Sequence, residues 1–169
     1  QSYRSTKQVT DFTKAILKSG QAINAFNRLG PLPTIALRDT EAELVEAVAA
    51  QLKVNDAAKQ TTAVIAKTLE EAEHIHNLMQ QAGLASTLIR SENQRLAAGV
   101  IVVPSYLAKG LEFDAVILWQ ANKHFFHEED ERELLYTIAS RAMHRLTILA
   151  TPDLSPLLDQ VPADLYQKA

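Results

Sequence analysis

Ala108-Lys-Gly-Leu-Glu-Phe-Asp-Ala-Val-Ile-Leu118 sets a lysine, a glycine and an acid directly ahead of an apolar run. Gly110 reads as a turn, and Asp114–Trp119 as the buried strand that it feeds. Outward from this stretch, short β-rich runs alternate with helical patterns. Upstream, a helix is expected near Lys7–Lys18, then a loop at Gly30-Pro-Leu-Pro33 and a strand at Thr34–Arg38. Asp39 or Thr40 offers an N-cap, and Glu43 completes a capping box with Thr40. The stripe Ala42, Val45, Ala49 and Leu52 gives that helix its apolar face, with Glu41, Glu43 and Glu46 toward water. Thr62–Ala66 is the next strand. Thr68 caps a helix with Leu69, Ala72, Ile75, Leu78 and Met79 on its inner face, and Gly83 ends it. Ser86–Ile89 and Val100–Val103 read as strands. Downstream, a helix from about Glu128 to Met143 precedes a last strand at Leu146–Ala150. Strands alternating with helices predict an α/β domain with a mostly parallel sheet covered on both faces.

The 169 residues suit one domain, and 47% hydrophobic content supplies a core. The formal charge of −3 offers no global basic footprint for nucleic acid. With no cysteine, disulfide scaffolds and thiolate metal sites are excluded. No apolar run approaches the roughly 18 residues of a membrane helix. The start, QSYRSTKQ, is no signal peptide and has no initiator Met. A cytoplasmic fragment of a longer protein, with no membrane partner, is the expectation.

None of the five glycines precedes a lysine, so GxxxxGK[ST] is missing, as is GxGxxG. No strand ends in an acidic pair suited to Mg²⁺. His74 and His76 lie two apart on a helix and face different ways. His124 and His127 lack a third ligand, so no metal site is expected. Trp119 reads as core, and Glu128–Glu131 as a solvated helix start favoured by the dipole.

Three stretches remain: Tyr3-Arg4-Ser5-Thr6, the segment Pro104-Ser105-Tyr106-Leu-Ala-Lys109-Gly110-Leu-Glu112-Phe, and Leu134–Leu146. On the predicted last helix, Leu134, Leu135, Ile138, Ala139 and Ala142 share an arc, and Arg141 falls just outside it. Its stem would pack while its guanidinium projects past the domain edge.

In this order the three stretches resemble the second RecA-like domain of UvrD/Rep/PcrA-type superfamily-1 helicases. The likeness runs from Gln1 to about Ala150. It implies a RecA-like, P-loop NTPase-type fold without its own P-loop, a single C-terminal motor domain over residues 1–169. ATP and Mg²⁺ would sit between this domain and a first RecA-like domain that supplies the P-loop and the Mg²⁺ ligands. The resemblance further implies that Arg4 and Arg141 face the γ-phosphate, Tyr3 stacks on adenine and Glu112 contacts the ribose. The Lys109-Gly110 turn would lie against the nucleotide cleft. Arg4, Glu112 and Arg141 are then expected along one edge of the sheet, in a common groove.

Single-stranded DNA is the implied partner, with Ser105, Tyr106 and Lys109 as contacts. Where the family usually has a Thr and a His near the strand, this sequence has Pro104 and Tyr106. A large insertion usually precedes the strand at Val100, but here only Arg90–Gly99 intervenes. Both departures look more like the helicase IV-like (HelD-like) branch, which includes RNA-polymerase-recycling ATPases. RNA polymerase is thus a second expected partner. A degenerate α/β interaction domain is the reading from another class.

Overall fold

In β2, Thr62–Ala66, every residue is buried, so both faces of the strand need a covering layer. The computed structural model, which describes residues 5–18, 28–96 and 98–169, shows how that is met. The remaining elements are α1 (Lys7–Ile16), β1 (Thr34–Leu37), α2 (Glu41–Ala57), α3 (Leu69–Gln81), β3 (Thr87–Leu88), β4 (Val100–Pro104), α4 (Ser105–Ala108), β5 (Phe113–Trp119), α5 (Arg132–Ala139), β6 (Ala142–Ala150) and β7 (Gln167–Lys168). The strands form one sheet in the order β3-β4-β2-β5-β6-β1-β7, and every pairing between them is parallel. On one face Val9, Phe12 and Ile16 of α1 and Leu135 and Ile138 of α5 pack on Ile65, Val116, Leu118 and Ile148. On the other, Leu44 and Val48 of α2 and Ala72, Ile75 and Met79 of α3 cover Val64, Val102, Ile117 and Leu149. This is the α/β, RecA-like arrangement that the resemblance implies.

The caps fall where the sequence puts them. Thr40 accepts from Glu43 N while the Glu43 carboxylate accepts from Thr40 N, and Thr68 Oγ1 accepts from Glu71 N. Gly83 follows α3 at φ 77°, a conformation glycine adopts without strain. Several expectations need correction. α1 stops at Ile16, and Lys18 turns into the left-handed region. α2 buries Leu44, Val45, Val48 and Asn55, whereas Ala42 is exposed and Ala49 and Leu52 are half-buried. In an alanine-rich helix small side chains surround the axis, and the two larger ones at 44 and 48 set the phase.

The helix expected over Glu128–Met143 is a short 3-10 turn at Glu129–Glu131, then α5, and it ends four residues early. The termination is local. Ser140 N donates to Tyr136 O, Arg141 N tightens onto Ile138 O, and the Arg141 Nε donates to Thr137 O at 2.9 Å. Those bonds satisfy last-turn carbonyls without a glycine. Ala142 then opens a nine-residue β6, longer than the expected Leu146–Ala150, because pairing with β5 and β1 outweighs local helix preference.

The acidic run also departs from a uniformly solvated start. Glu128–Asp130 are exposed, but Glu131 turns inward to the Lys67 ammonium. Lys67 also donates to Phe125 O at 2.7 Å and sits over the Phe126 ring. Burial disfavours ionisation of Glu131. The hydrogen bond from Lys67 and those from the Glu128 and His127 N–H groups outweigh it and hold the carboxyl below the usual range. A depressed folded-state value contributes stability above the unfolded pKa and loses it as pH falls through the folded one. Glu131→Gln is therefore expected to cost about 1–2 kcal/mol near neutral pH, a difference that shrinks at a pH below the usual carboxylate range. Urea midpoints of the two proteins at both pH values check this.

Candidate functional site

The turn at Gly110 has φ 78°, which lets the chain leave α4 and enter β5, with Leu111 N donating to Ala108 O. Glu112 then stands just ahead of the amino end of β5, and Arg141 just ahead of the amino end of β6. The starts of these two strands are tied together. Phe113 N donates to Arg141 O at 3.0 Å, and Arg141 Nη1 donates to Leu111 O at 3.2 Å. Ser5 joins them from the start of the chain: its Oγ reaches Ala142 O at 3.4 Å, and Thr6 N donates to Met143 O at 2.9 Å. Gly30 holds the next loop against this junction, donating to Gln8 Oε1 at 2.8 Å. A Cβ at Gly30 would stand 2.8 Å from Thr6 Cγ2, closer than the packing allows.

Between these segments lies a cavity of about 250 Å³. α1 lines it with Thr10, Thr13 and Lys14, and the preceding segment adds Ser5. Tyr136 of α5, Ser140 and Arg141 of the following turn, Met143 of β6, and Glu112 complete the wall. Thus Glu112 and Arg141, 29 positions apart in the sequence, line one polar cavity at one end of the sheet. It is the amino end of the strands, opposite the carboxyl ends where open parallel sheets usually hold a ligand of their own. Tyr3 and Arg4 lie outside the described residues; Ser5, next to Arg4, lines the cavity.

Arg141 is held by its Nε and Nη1 bonds, and Nη2 makes only a 3.4 Å contact with Ser140 Oγ. A guanidinium fixed in this way presents its fork with little freedom to lose on meeting an anion. Nearby on β6, burial holds the His144 imidazole below its ordinary pKa, reinforced by Arg145 and Arg28 and opposed by Asp114.

Gly110 and Lys109 are exposed on the turn and not in the cavity wall. Lys109 instead lines a separate groove with Tyr106, Glu92, Gln94 and Leu96. Tyr106 is exposed, whereas Ser105 is buried and its Oγ donates to Lys67 O at 2.7 Å. His74 meets Glu41 and His76 meets Ser86, so the two rings serve different partners. Among the described residues, no three His, Asp or Glu side chains stand together as metal ligands. Nor is any helix among them long and apolar enough to cross a membrane. The sequence reading missed Lys14 and Thr10. Their signal is a lysine and a threonine four apart on an otherwise inward-facing helix side.

The model of the UvrD-like helicase C-terminal domain family matches residues 99–149. The crystal structure of the C-terminal domain of a possible DNA helicase from Lactobacillus plantarum WCFS1 superposes with a TM-score of 0.86. It is 52% identical, over 99% of this chain and 99% of that one. The chain belongs to the UvrD-like helicase C-terminal domain family. The family segment contains Glu112 and Arg141, while the α1 residues of the cavity lie outside it. A complex of Arterivirus nonstructural protein 10 (helicase) with DNA aligns at 11% identity, over 92% of this chain and 35% of that one. Its TM-score of 0.45 is too low to inform the site of a UvrD-like domain. No curated protein matches the chain.

Proposed function

We propose that the chain is the second motor domain of an ATP-driven DNA helicase or translocase, spanning residues 1–169 of a longer cytoplasmic protein. The observation that carries this reading is the meeting of Glu112 and Arg141 in one polar cavity at the amino ends of β5 and β6. A domain that lacks GxxxxGK[ST] but offers a fixed arginine is suited to completing a nucleotide site begun elsewhere. The first RecA-like domain supplies the phosphate loop and the Mg²⁺ ligands. Arg141 and Arg4 meet the γ-phosphate, Glu112 the ribose and Tyr3 the adenine, and the Gly110 turn sets Glu112 at the mouth of β5. The cavity suits an anion, since among the described residues its lining carries two cations, Lys14 and Arg141, and one carboxylate, Glu112. Tyr106 of α4 and Lys109 of the turn after it contact single-stranded DNA, and Ser105 fixes α4 through its bond to Lys67 O.

ATP turnover tests this. The 169-residue chain alone is expected to show none above background, and the longer protein to hydrolyse ATP faster when single-stranded DNA is added. Turnover by the purified chain, abolished by Arg141→Ala, would sink the reading of a completing half-site.

A second reading follows from Pro104, which ends β4 with neither an N–H nor a hydroxyl to offer a phosphate. Together with the short Arg90–Gly99 connection, it favours an ATPase of the HelD-like branch that acts on RNA polymerase. Turnover indifferent to DNA, with co-purification of RNA polymerase, selects that alternative. A longer protein with no turnover at all leaves the interaction domain.

A further inference from the structure

The cavity holds two polar groups that its described neighbours leave unused. Lys14 Nζ and Thr10 Oγ1 are shielded from solvent and have no hydrogen-bond partner among the described residues. Thr10 is 5% exposed. The two sit four apart on α1, on one side of the helix, and both line the wall shared with Arg141. An ammonium shielded from water without an acceptor is costly, and so is a buried hydroxyl without a partner. Folded chains rarely retain such a pair unless something else satisfies it. The missing partner must accept hydrogen bonds, because the ammonium only donates. Among the described residues the wall carries two cations, Lys14 and Arg141, and one carboxylate, Glu112, which favours a negative partner. A phosphate meets both requirements, and its oxygens can bridge Lys14 and the Arg141 fork.

We propose that Lys14 and Thr10 of α1 form, with Arg141, a phosphate-binding site for the polyphosphate tail of a nucleotide. This rests on the reading of the cavity given above and extends it to a helix outside the matched family segment. Lys14 binds the tail as a point charge, Thr10 donates its hydroxyl, and Arg141 supplies the oriented fork.

The test uses the 169-residue chain, since its Lactobacillus relative was crystallised as the C-terminal domain. Inorganic pyrophosphate is titrated in while the amide shifts of Thr10, Lys14 and Ser140 are followed. Saturable shifts are expected, weakened about tenfold or more by Lys14→Met and about threefold by Thr10→Val, and largely kept by Lys14→Arg. Lys14→Met is also expected to raise the melting temperature of the ligand-free chain by about 2–4 °C, because it removes an unsatisfied ammonium. A lowered melting temperature would reveal a structural partner for Lys14 and overturn the proposal. So would pyrophosphate affinity unchanged by Lys14→Met, or displacement of pyrophosphate by oligothymidylate, which would assign the site to a nucleic-acid backbone. Turnover of Arg141→Ala in the longer protein separates the two levels. If it collapses while Lys14→Met leaves pyrophosphate binding intact, the inference fails and the motor reading stands. If it persists while Lys14→Met abolishes pyrophosphate binding, the anion site stands and the motor reading fails.

Discussion

Arg141→Ala in the longer protein is expected, on the function proposed above, to lower kcat by about 10³–10⁵-fold, the range removed with an arginine finger, and to change ATP affinity far less. Phosphoryl transfer spreads charge over the transferring group, and a fixed, permanently charged fork stabilises that charge. The structure fixes Arg141 through backbone acceptors on two elements, Thr137 O of α5 and Leu111 O ahead of β5. Arg141→Lys should therefore fail to rescue, because an ammonium cannot keep both anchors and still meet a phosphate. Steady-state kinetics with a separate measurement of nucleotide affinity decide the matter. Near-normal kcat with a raised KM would mean that Arg141 binds only the ground state.

The largest loss of stability is expected at Arg132. Its side chain is buried at the start of α5, where Nη1 donates to Ile16 O at 2.9 Å and to Leu157 O at 3.0 Å. Nε and Nη2 hold the Glu129 carboxylate, and that hydrogen bond from Arg132 lowers the Glu129 pKa despite some desolvation. One guanidinium thus joins the end of α1, the start of α5 and the turn at Pro156–Leu158. Arg132→Ala leaves Leu157 O without its donor and Ile16 O with only the Gln160 amide at 3.2 Å, and it opens a void, a cost of about 2–4 kcal/mol. The urea midpoint should fall with the m-value unchanged. Glu129→Gln is the control. Glu129 is exposed, and both carbonyl bonds survive its loss, so the midpoint should hardly move. A small effect of Arg132→Ala would mean that water replaces the guanidinium at both carbonyls.

Much of the sheet was legible because its strands are short apolar runs bounded by caps and glycines. Thr62–Ala66 matches residue for residue, and Thr40 and Thr68 cap the helices they were expected to cap. The boundary near Ser140 was not legible, since Ala139, Ala142 and Met143 continue a helical pattern and no glycine or proline interrupts it. What ends α5 is a side-chain bond from Arg141 to Thr137 O, which a periodicity argument cannot register. β7 was missed for another reason. Gln167 and Lys168 are polar, exposed and only two, and they become a strand solely by pairing with Thr34 and Ile35. In the cavity, Glu112 and Arg141 were found through motif resemblance. Lys14 was not, because a lone lysine on a helix reads as solvated until the fold shows its nitrogen enclosed.

Trp119, the chain's single tryptophan, ends β5 at 1% exposure, and its Nε1 donates to Glu71 Oε1 at 3.2 Å. Glu112 lies seven residues before it along the strand, which at about 3.3 Å each is a separation of about 23 Å. The indole is therefore an optical reporter of the core and not of the cavity. Its emission is expected to be that of a dry environment, red-shifting only when the sheet opens, and a ligand in the cavity at the amino ends is expected to leave it unchanged. Tyr136, in the cavity wall, is a chromophore placed to register such a ligand. A flat tryptophan signal during a nucleotide titration accordingly carries no information about binding, while the same signal in denaturant follows the whole fold.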